Sequence, residues 1–140
     1  MSIYGNPVAI GGGGNAKIVV SQIGWVSTSS VIVISEVAYE QADNNYFTLS
    51  SHSFTCAKAG SYRIWYGVKS AYNSGGSRIN ATAYIYVNGS SVSSLVSSST
   101  GYYTSYYDAS LSVDDVVQLR AKNNSNSSNV EPIYMVIEVA

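Results

Sequence analysis

Cysteine and charge are both scarce in this sequence of 140 residues. Cys56 is the single cysteine, so the chain can form neither an internal disulfide nor a zinc site built from several cysteines. Such usage is typical of a protein made in a reducing cytoplasm. Charged residues make up 11% of the chain, against about 25% in an ordinary soluble domain. The surface is therefore expected to carry hydroxyl and amide groups more than ions.

Three kinds of segment are also missing. The seven lysines and arginines lie singly along the chain, so there is no basic stripe of the kind that binds nucleic acid. No apolar run approaches the roughly 20 residues that cross a bilayer. The opening, residues 1–7, lacks the basic and apolar regions of a signal peptide. We therefore expect no nucleic-acid partner, no membrane partner and no export by the secretory route.

The organisation of the chain changes near residue 28. Residues 1–28 contain a run of four glycines at 11–14 between two short apolar patches. This composition predicts an N-terminal arm that is ordered by contacts with another subunit or protein, the alternative being a frayed terminus. Residues 29–140 are predicted to form one all-β domain, because short β-branched and aromatic runs alternate there with Ser, Asn and Gly clusters.

Alternation of side chains identifies two long strands and the face that each residue takes. In the first strand, every second residue is apolar and is predicted to face the core: Tyr62, Ile64, Tyr66 and Val68. Trp65 lies between them and therefore faces away from the core. The last strand, residues 133–139, carries apolar groups on both faces and places Tyr134 on the same side as Trp65. Such a strand is expected to be covered on both sides.

Further strands are predicted at Ala81–Val87, residues 102–113 and residues 116–122. They are separated by turns at 88–89, 113–115 and 123–128. The first of these turns is Asn-Gly, which accepts the positive φ values that a tight hairpin requires. Many short antiparallel strands with polar connections close as a sandwich or a barrel, and we favour the sandwich.

Catalytic and metal-binding apparatus is hard to find in the sequence. The lone histidine, His52, has no nucleophile elbow to serve, so we expect a hydrogen-bonded or surface histidine. Cys56 is expected in the core. The acidic pair Asp114 and Asp115 is a candidate for calcium, and the alternative is a polar turn. We accordingly expect no enzymatic activity and no cofactor.

Three segments in order resemble the C1q and tumour necrosis factor jelly-roll superfamily. They are Phe-Thr-Cys-Ala-Lys-Ala-Gly-Ser-Tyr-Arg-Ile from residue 54, Ala-Tyr-Ile-Tyr-Val-Asn-Gly from residue 83, and Ala-Ser-Leu-Ser-Val-Asp-Asp-Val-Val from residue 109. The chain departs from the family pattern at Asp114, where the family usually has glycine, and it has no collagen-like stalk. The resemblance implies an all-β antiparallel sandwich jelly roll that assembles as a homotrimer.

The resemblance also implies which residues surround the threefold axis of such a trimer. The position after Gly-x-Tyr-x-Ile is Trp65, and the aromatic residue near the start of the final strand is Tyr134. Tyr102 and Tyr106 come from the remaining strand. Arg63 lies on the face of Trp65, and because an unpaired guanidinium is costly to bury, it is expected to pair with one of two acids. The predicted trimer interface comprises Arg63, Trp65, Tyr102, Tyr106, Asp108, Tyr134 and Glu138.

The opening segment, the body rich in Ser, Asn and Tyr, and the missing export signal resemble small virion proteins of tailed phages. Such proteins are made in the cytoplasm of the bacterial host and reside in the virion. The sequence therefore predicts a head-fibre, decoration or tail-tip protein whose arm binds a capsid or tail protein. The alternative is a module that binds host-surface carbohydrate through Tyr72, Asn73, Tyr103 and Tyr107, whose aromatic rings and amide suit adaptable binding surfaces.

Overall fold

The computed structural model describes residues 17–23, 26–27, 31–33, 37–72, 78–97, 102–123 and 129–140. All regular structure in these residues is β, and none of them forms a helix long and apolar enough to span a membrane. The strands are β1 Lys17–Ile23, β2 Val26–Ser27, β3 Ile32–Val33, β4 Val37–Ala42, β5 Phe47–Ser50, β6 Ser53–Cys56, β7 Gly60–Tyr72, β8 Arg78–Ile79, β9 Ala81–Val87, β10 Ser90–Val96, β11 Tyr102–Leu111, β12 Val116–Asn123 and β13 Asn129–Val139.

The strands form two antiparallel sheets. The first sheet has the order β11-β7-β13-β1-β4, with β2 on β13 and β8 on β7. The second sheet has the order β10-β9-β12-β6-β5, with β3 on β12. Neighbours in each sheet are mostly distant in sequence, and β13 lies between β7 and β1. The predicted antiparallel jelly-roll sandwich is confirmed.

The core lies between the two sheets and takes alternate residues from each. The predicted face of β7 is confirmed, because all four of its apolar residues are buried: Tyr62, Ile64, Tyr66 and Val68. The ring of Phe47 meets that of Tyr62 edge-on, with centroids 5.1 Å apart. The Tyr66 hydroxyl and the Ser93 hydroxyl form a hydrogen bond that joins the first sheet to the second. Cys56 is buried in this core, as predicted.

The predicted strand positions agree closely with the structure. β9 has the predicted bounds, whereas β11 ends two residues earlier than predicted and β12 extends one residue further. β13 is buried from residue 133 through residue 137, so it is covered on both faces as predicted. The predicted turn at 123–128 falls largely outside the described residues.

The structure differs from the prediction in part of the proposed arm. Lys17–Ile23 form β1, which pairs with β13 on one side and with β4 on the other. The segment is rich in β-branched residues, and a partner strand more than a hundred residues away supplies its hydrogen bonds, which local patterning does not reveal. Residues 1–16 lie outside the described residues.

Two tight hairpins use positive backbone φ angles. At the predicted turn between β9 and β10, φ is 52° at Asn88 and 81° at Gly89. Between β5 and β6, φ is 50° at Ser51 and 61° at His52. Two positive φ values in succession give the hairpin the twist that matches its strands. The β11–β12 turn places Asp114 at a φ of 77°, the conformation for which glycine is the least strained residue.

Candidate functional site

The face of the first sheet that points away from the core carries all seven residues predicted for the trimer interface. We call it the aromatic face, and it consists of Arg63, Trp65, Tyr102, Tyr106, Asp108, Tyr134 and Glu138. Register brings them together in rows, because β7 lies between β11 and β13. In one row Trp65 stands between Tyr106 and Val136, and in the next Arg63 stands between Asp108 and Glu138. Whether this face contacts another subunit stays a prediction.

The charged row is paired within the chain. Arg63 donates from Nε to Oδ1 of Asp108 at 2.7 Å and from Nη2 to Oδ2 at 2.9 Å. This two-point pair confirms that Arg63 binds one of the two predicted acids. The hydrogen bonds from Arg63 hold the pKa of Asp108 below its usual value, and the same bonds raise the pKa of Arg63. Both side chains are partly exposed, so the pair adds geometric order more than stability.

The second acid of the row, Glu138, forms a hydrogen bond with Trp65. Trp65 donates from Nε1 to Oε1 of Glu138 at 2.8 Å. The indole N–H, a donor that would be costly to bury alone, is therefore already bonded before any partner arrives. Each of the three charged side chains of this row therefore has a hydrogen-bond partner inside one subunit.

The aromatic row is held by ring contacts and by the guanidinium. The Trp65 and Tyr106 ring centroids lie 5.0 Å apart with the planes tilted by 56°. Cζ of Arg63 lies 4.0 Å from the Tyr106 centroid and 5.8 Å from that of Trp65. Cation–π attraction over both rings fixes the guanidinium between them. The rings of Trp65 and Tyr106 are therefore held in a fixed arrangement beside the ion pair of Arg63 and Asp108.

Gly67 also lies on this face, where it alternates with the buried residues of β7, although it is not among the residues predicted for the trimer interface. It lies on β7 opposite Thr104 and Tyr134. A Cβ at this position would lie 2.4 Å from Cε1 of Tyr134 and 3.0 Å from the hydroxyl of Tyr102. The Tyr102 and Tyr134 rings stack with centroids 6.5 Å apart. Glycine within a strand often marks such a close approach, and this was the available signal.

Exposure distinguishes the rings of the aromatic face. Tyr134 is 8% exposed, whereas Tyr102 and Tyr106 are each 46% exposed. The two exposed rings therefore form an apolar patch on the surface beside the buried ring of Tyr134. Exposed apolar patches often mark interaction sites.

The residues predicted to bind carbohydrate are not gathered on the aromatic face. Tyr103 and Tyr107 alternate with Tyr102 and Tyr106 along β11 and therefore point to its other side. Tyr107 packs against the core, and Tyr103 is 42% exposed at the edge of the sandwich. Tyr72 lies in β7 and Asn73 lies outside the described residues. Their binding role stays a prediction.

The acidic pair lies in a turn that is fastened by hydrogen bonds. Oδ1 of Asp115 accepts from Nδ2 of Asn88 at 3.0 Å, and its Oδ2 accepts from the backbone N–H of Ser112 at 2.8 Å. These bonds hold the pKa of Asp115 below its usual value. The side-chain oxygen of Asn88, Oδ1, accepts a hydrogen bond from the backbone N–H of Val116 at 2.9 Å. The polar-turn interpretation therefore describes Asp115, and no group of three or more metal-ligating side chains occurs among the described residues.

His52 has a carboxylate partner, as expected for a hydrogen-bonded histidine. Its Nδ1 lies 2.8 Å from Oε1 of Glu40. This contact joins the β5–β6 turn of the second sheet to β4, the edge strand of the first. It therefore connects the two sheets.

Comparison with known proteins gives a fold rather than a family. No protein-family model matches the chain, and no curated protein sequence matches it. Among solved structures, the vertex protein P5 of phage PRD1 aligns with a TM-score of 0.60 at 14% identity, over 91% of this chain and 100% of that one.

Two animal proteins align over similar lengths. Murine APRIL, of the tumour necrosis factor family, gives a TM-score of 0.57 at 9% identity, covering 88% of this chain and 99% of that one. The globular domain of zebrafish complement 1qA gives 0.58 at 10% identity, covering 88% and 96%. The chain therefore has the C1q and tumour necrosis factor jelly-roll fold that its sequence resembles.

Proposed function

We propose that this chain is a non-enzymatic structural protein of a phage virion, a head fibre, capsid decoration or tail-tip protein, and that it assembles as a homotrimer through the aromatic face. The observation that carries the proposal is the patch of partly exposed rings around Trp65 with its polar groups already paired. Likeness in fold to the vertex protein of PRD1 supports the virion setting. On this proposal the chain is made in the cytoplasm of the bacterial host.

The energetics of the aromatic face favour burial. Burying one large apolar side chain stabilises an assembly by roughly 1.5–3 kcal/mol. Leaving a buried ion unpaired would cancel that gain. Here Arg63 already has Asp108, and Glu138 already accepts from Trp65. Three copies can therefore bring their rings together without leaving the Arg63 guanidinium unpaired.

Mass and a matched pair of tyrosine variants test the trimer. Light scattering at micromolar concentration is expected to report three chains per particle. Tyr106→Ala is expected to shift the protein toward monomer, whereas Tyr103→Ala is expected to leave the mass unchanged. The two residues have nearly equal exposure, 46% and 42%, on opposite sides of β11. Trp65→Ala is expected to weaken assembly by more than about 2 kcal/mol per subunit.

Two outcomes would overturn this assignment. A monomer across the whole concentration range would remove the role of the aromatic face. Equal effects of Tyr106→Ala and Tyr103→Ala would show that the loss is not specific to that face.

We further propose that the N-terminal arm attaches the trimer to a capsid or tail protein. The run of four glycines at 11–14 supports this, because such a segment gains order mainly from contacts outside itself. Since Lys17–Ile23 belong to the first sheet, the test deletes residues 1–16 only. The deletion is expected to keep the melting temperature and the mass, and to abolish incorporation into particles. Normal incorporation would refute the attachment role.

Recognition of a host-surface glycan is the second candidate function. Partly exposed tyrosines beside hydroxyl-bearing strands, outside the aromatic face, favour it. Tyr103 belongs to the set predicted to bind carbohydrate, and Tyr84 and Tyr86 on β9 add a second group. Labelled host-cell glycans are expected to bind the wild-type protein. Alanine variants of the tyrosine group that forms the site, either Tyr103 or Tyr84 and Tyr86, are expected to lose this binding.

A further inference from the structure

The second sheet also has a face that points away from the core, and it carries a compact polar and aromatic cluster. Tyr84 and Tyr86 of β9 lie beside Arg120 and Gln118 of β12 in the register, and Ser94 and Ser91 of β10 lie on their other side. We call these six residues the tyrosine–arginine platform. The four side chains on β9 and β12 are partly exposed.

Arg120 is held in place on this platform without a carboxylate. Its Nε and Nη2 donate to Oε1 of Gln118 at 3.1 and 2.6 Å. Its Cζ lies 4.0 Å from the centroid of the Tyr86 ring. Gln118 is oriented in turn, because its Nε2 donates to the hydroxyl of Ser53 at 2.8 Å. The guanidinium is thus pre-ordered by a ring below it and an amide at one edge.

Part of that guanidinium remains available. Of its five N–H donors, the Gln118 amide takes two. Among the described residues the other donors have no hydrogen-bond or ion-pair partner. Arg63 on the first sheet differs in the charge of its partner, since the carboxylate of Asp108 takes its two bonded donors whereas a neutral amide takes those of Arg120. The open edge of Arg120 has the geometry that receives a carboxylate at two points.

The charge of this face is of one sign. The six strands of the second sheet contain no aspartate and no glutamate, and their charged residues are Arg120 and Lys122. Lys122 lies two residues along β12 from Arg120 and so shares its face. A chain with a net charge of −1 therefore presents a local positive site, which complements an anion.

We propose that the tyrosine–arginine platform binds a saccharide that carries a carboxylate, such as a uronic or sialic acid unit. The carboxylate accepts hydrogen bonds from the open edge of Arg120, with Lys122 adding charge. The sugar ring packs on the ring of Tyr84, because the guanidinium already covers one face of Tyr86, and its hydroxyls meet the serine hydroxyls of β10. This inference deepens the glycan-recognition candidate and is independent of trimer assembly, because the platform lies within one subunit on the opposite sheet.

The surroundings favour a sugar over a protein as the occupant. Protein interfaces also use tyrosine and arginine, but they place them around a desolvated apolar core, whereas hydroxyls, an amide and a guanidinium surround the two rings of this platform. The Tyr84 and Tyr86 rings stand at 70° with centroids 6.1 Å apart, so they offer two differently inclined surfaces over a short distance. Such a site suits a small, polar, ring-shaped ligand.

Nuclear magnetic resonance of the full chain with matched sugars tests the proposal. The acidic probes are the methyl glycosides of glucuronate, galacturonate and N-acetylneuraminate, and the neutral probe is methyl glucoside, which replaces the carboxylate of the glucuronide by a hydroxymethyl group. At least one acidic sugar is expected to shift the backbone amides of Tyr86, Gln118 and Arg120, and to bind about tenfold more tightly than the neutral sugar. Added salt is expected to weaken the binding.

Variants distinguish the specific contribution of the Arg120 guanidinium from the effect of a positive charge alone. Arg120→Gln is expected to reduce the affinity about tenfold, and Arg120→Lys to restore only part of it, because lysine lacks the planar fork. Lys58→Gln is the matched control, since Lys58 also stands over a tyrosine ring, 5.0 Å from the centroid of Tyr46. It is expected to bind normally. Light scattering of each variant is expected to show unchanged mass.

Four results would overturn the proposal. They are the absence of localised shifts with all three acidic sugars, equal binding of the neutral sugar, equal loss of affinity in Lys58→Gln, and stronger binding of a glutamate-rich peptide. Shifts that map to Tyr103 and Tyr107 instead would refute the platform while retaining glycan recognition. A monomeric mass with intact sugar binding would refute the assembly role alone.

Discussion

Replacing Gly67 by alanine is the sharpest test of how the aromatic face is packed. The added Cβ would lie 2.4 Å from Cε1 and 2.8 Å from Cδ1 of Tyr134. Carbon atoms pack at about 3.5–4.0 Å, so the ring must retreat by roughly 1 Å. Because Tyr134 is only 8% exposed, it has little room to do so. We expect a loss of about 1–3 kcal/mol in the free energy of unfolding, the usual cost of overpacking.

Thermal and urea unfolding at a fixed protein concentration measure this loss, which corresponds to a melting temperature lower by roughly 3–10 °C. Gly60→Ala is the matched control, because a Cβ there would meet Tyr62 at an ordinary 3.8 Å. The double variant Gly67→Ala/Tyr134→Ala is expected to lose less than the sum of its single changes, since the clash is gone. Equal costs for the two glycine changes, or strict additivity in the double variant, would refute the reasoning.

Three further predictions concern turns and pH. Asp114→Gly is expected to raise the free energy of unfolding by about 0.5–1 kcal/mol in urea melts, because φ is 77° at this position; a loss would contradict the strain. Asn88→Gly is compatible with the positive φ at this position but removes the side-chain hydrogen bonds to Asp115 and to the backbone N–H of Val116. The same melts are expected to show a free energy of unfolding that is lower by about 1–2 kcal/mol. The pKa of Asp108 is lowered in the folded state, so its stabilising effect is complete above the unfolded value near 3.9 and is lost as the pH falls through the lowered pKa. Unfolding curves of wild type and Asp108→Asn are expected to differ at pH 6 and to converge at low pH; a constant difference would contradict the ion pair.

Local patterning was sufficient to predict the strands whose side chains alternate cleanly. β9 has its predicted bounds because uninterrupted alternation ends at an Asn-Gly turn. Trp65 and Tyr134 were placed on one face by counting residues from a buried neighbour. The pairing of Arg63 with an acid followed from the cost of burying a bare guanidinium.

Features that depend on long-range pairing were beyond that reasoning. β1 acquires its place from β13, which is distant in sequence, while the nearby glycine run suggested an arm. The contact of Gly67 with Tyr134 requires the register of β7 with β13. The platform is likewise invisible along one strand, because Arg120 meets Tyr86 only when β12 pairs with β9. Alternation gives the face of a residue, and only the sheet order gives its neighbours.

The central place of β13 has a consequence for synthesis of the protein. β13 separates β7 from β1 in the first sheet, and it comprises residues 129–139 of 140. While these residues remain inside the ribosome, β7 and β1 have no strand between them and the sheet cannot close. Chain elongation at about 5–20 residues per second therefore delays completion of the sandwich until β13 has emerged. A chain terminated before β13 lacks the middle of the sheet rather than its edge, so the backbone groups of β7 and β1 that face each other across the gap have no partner strand.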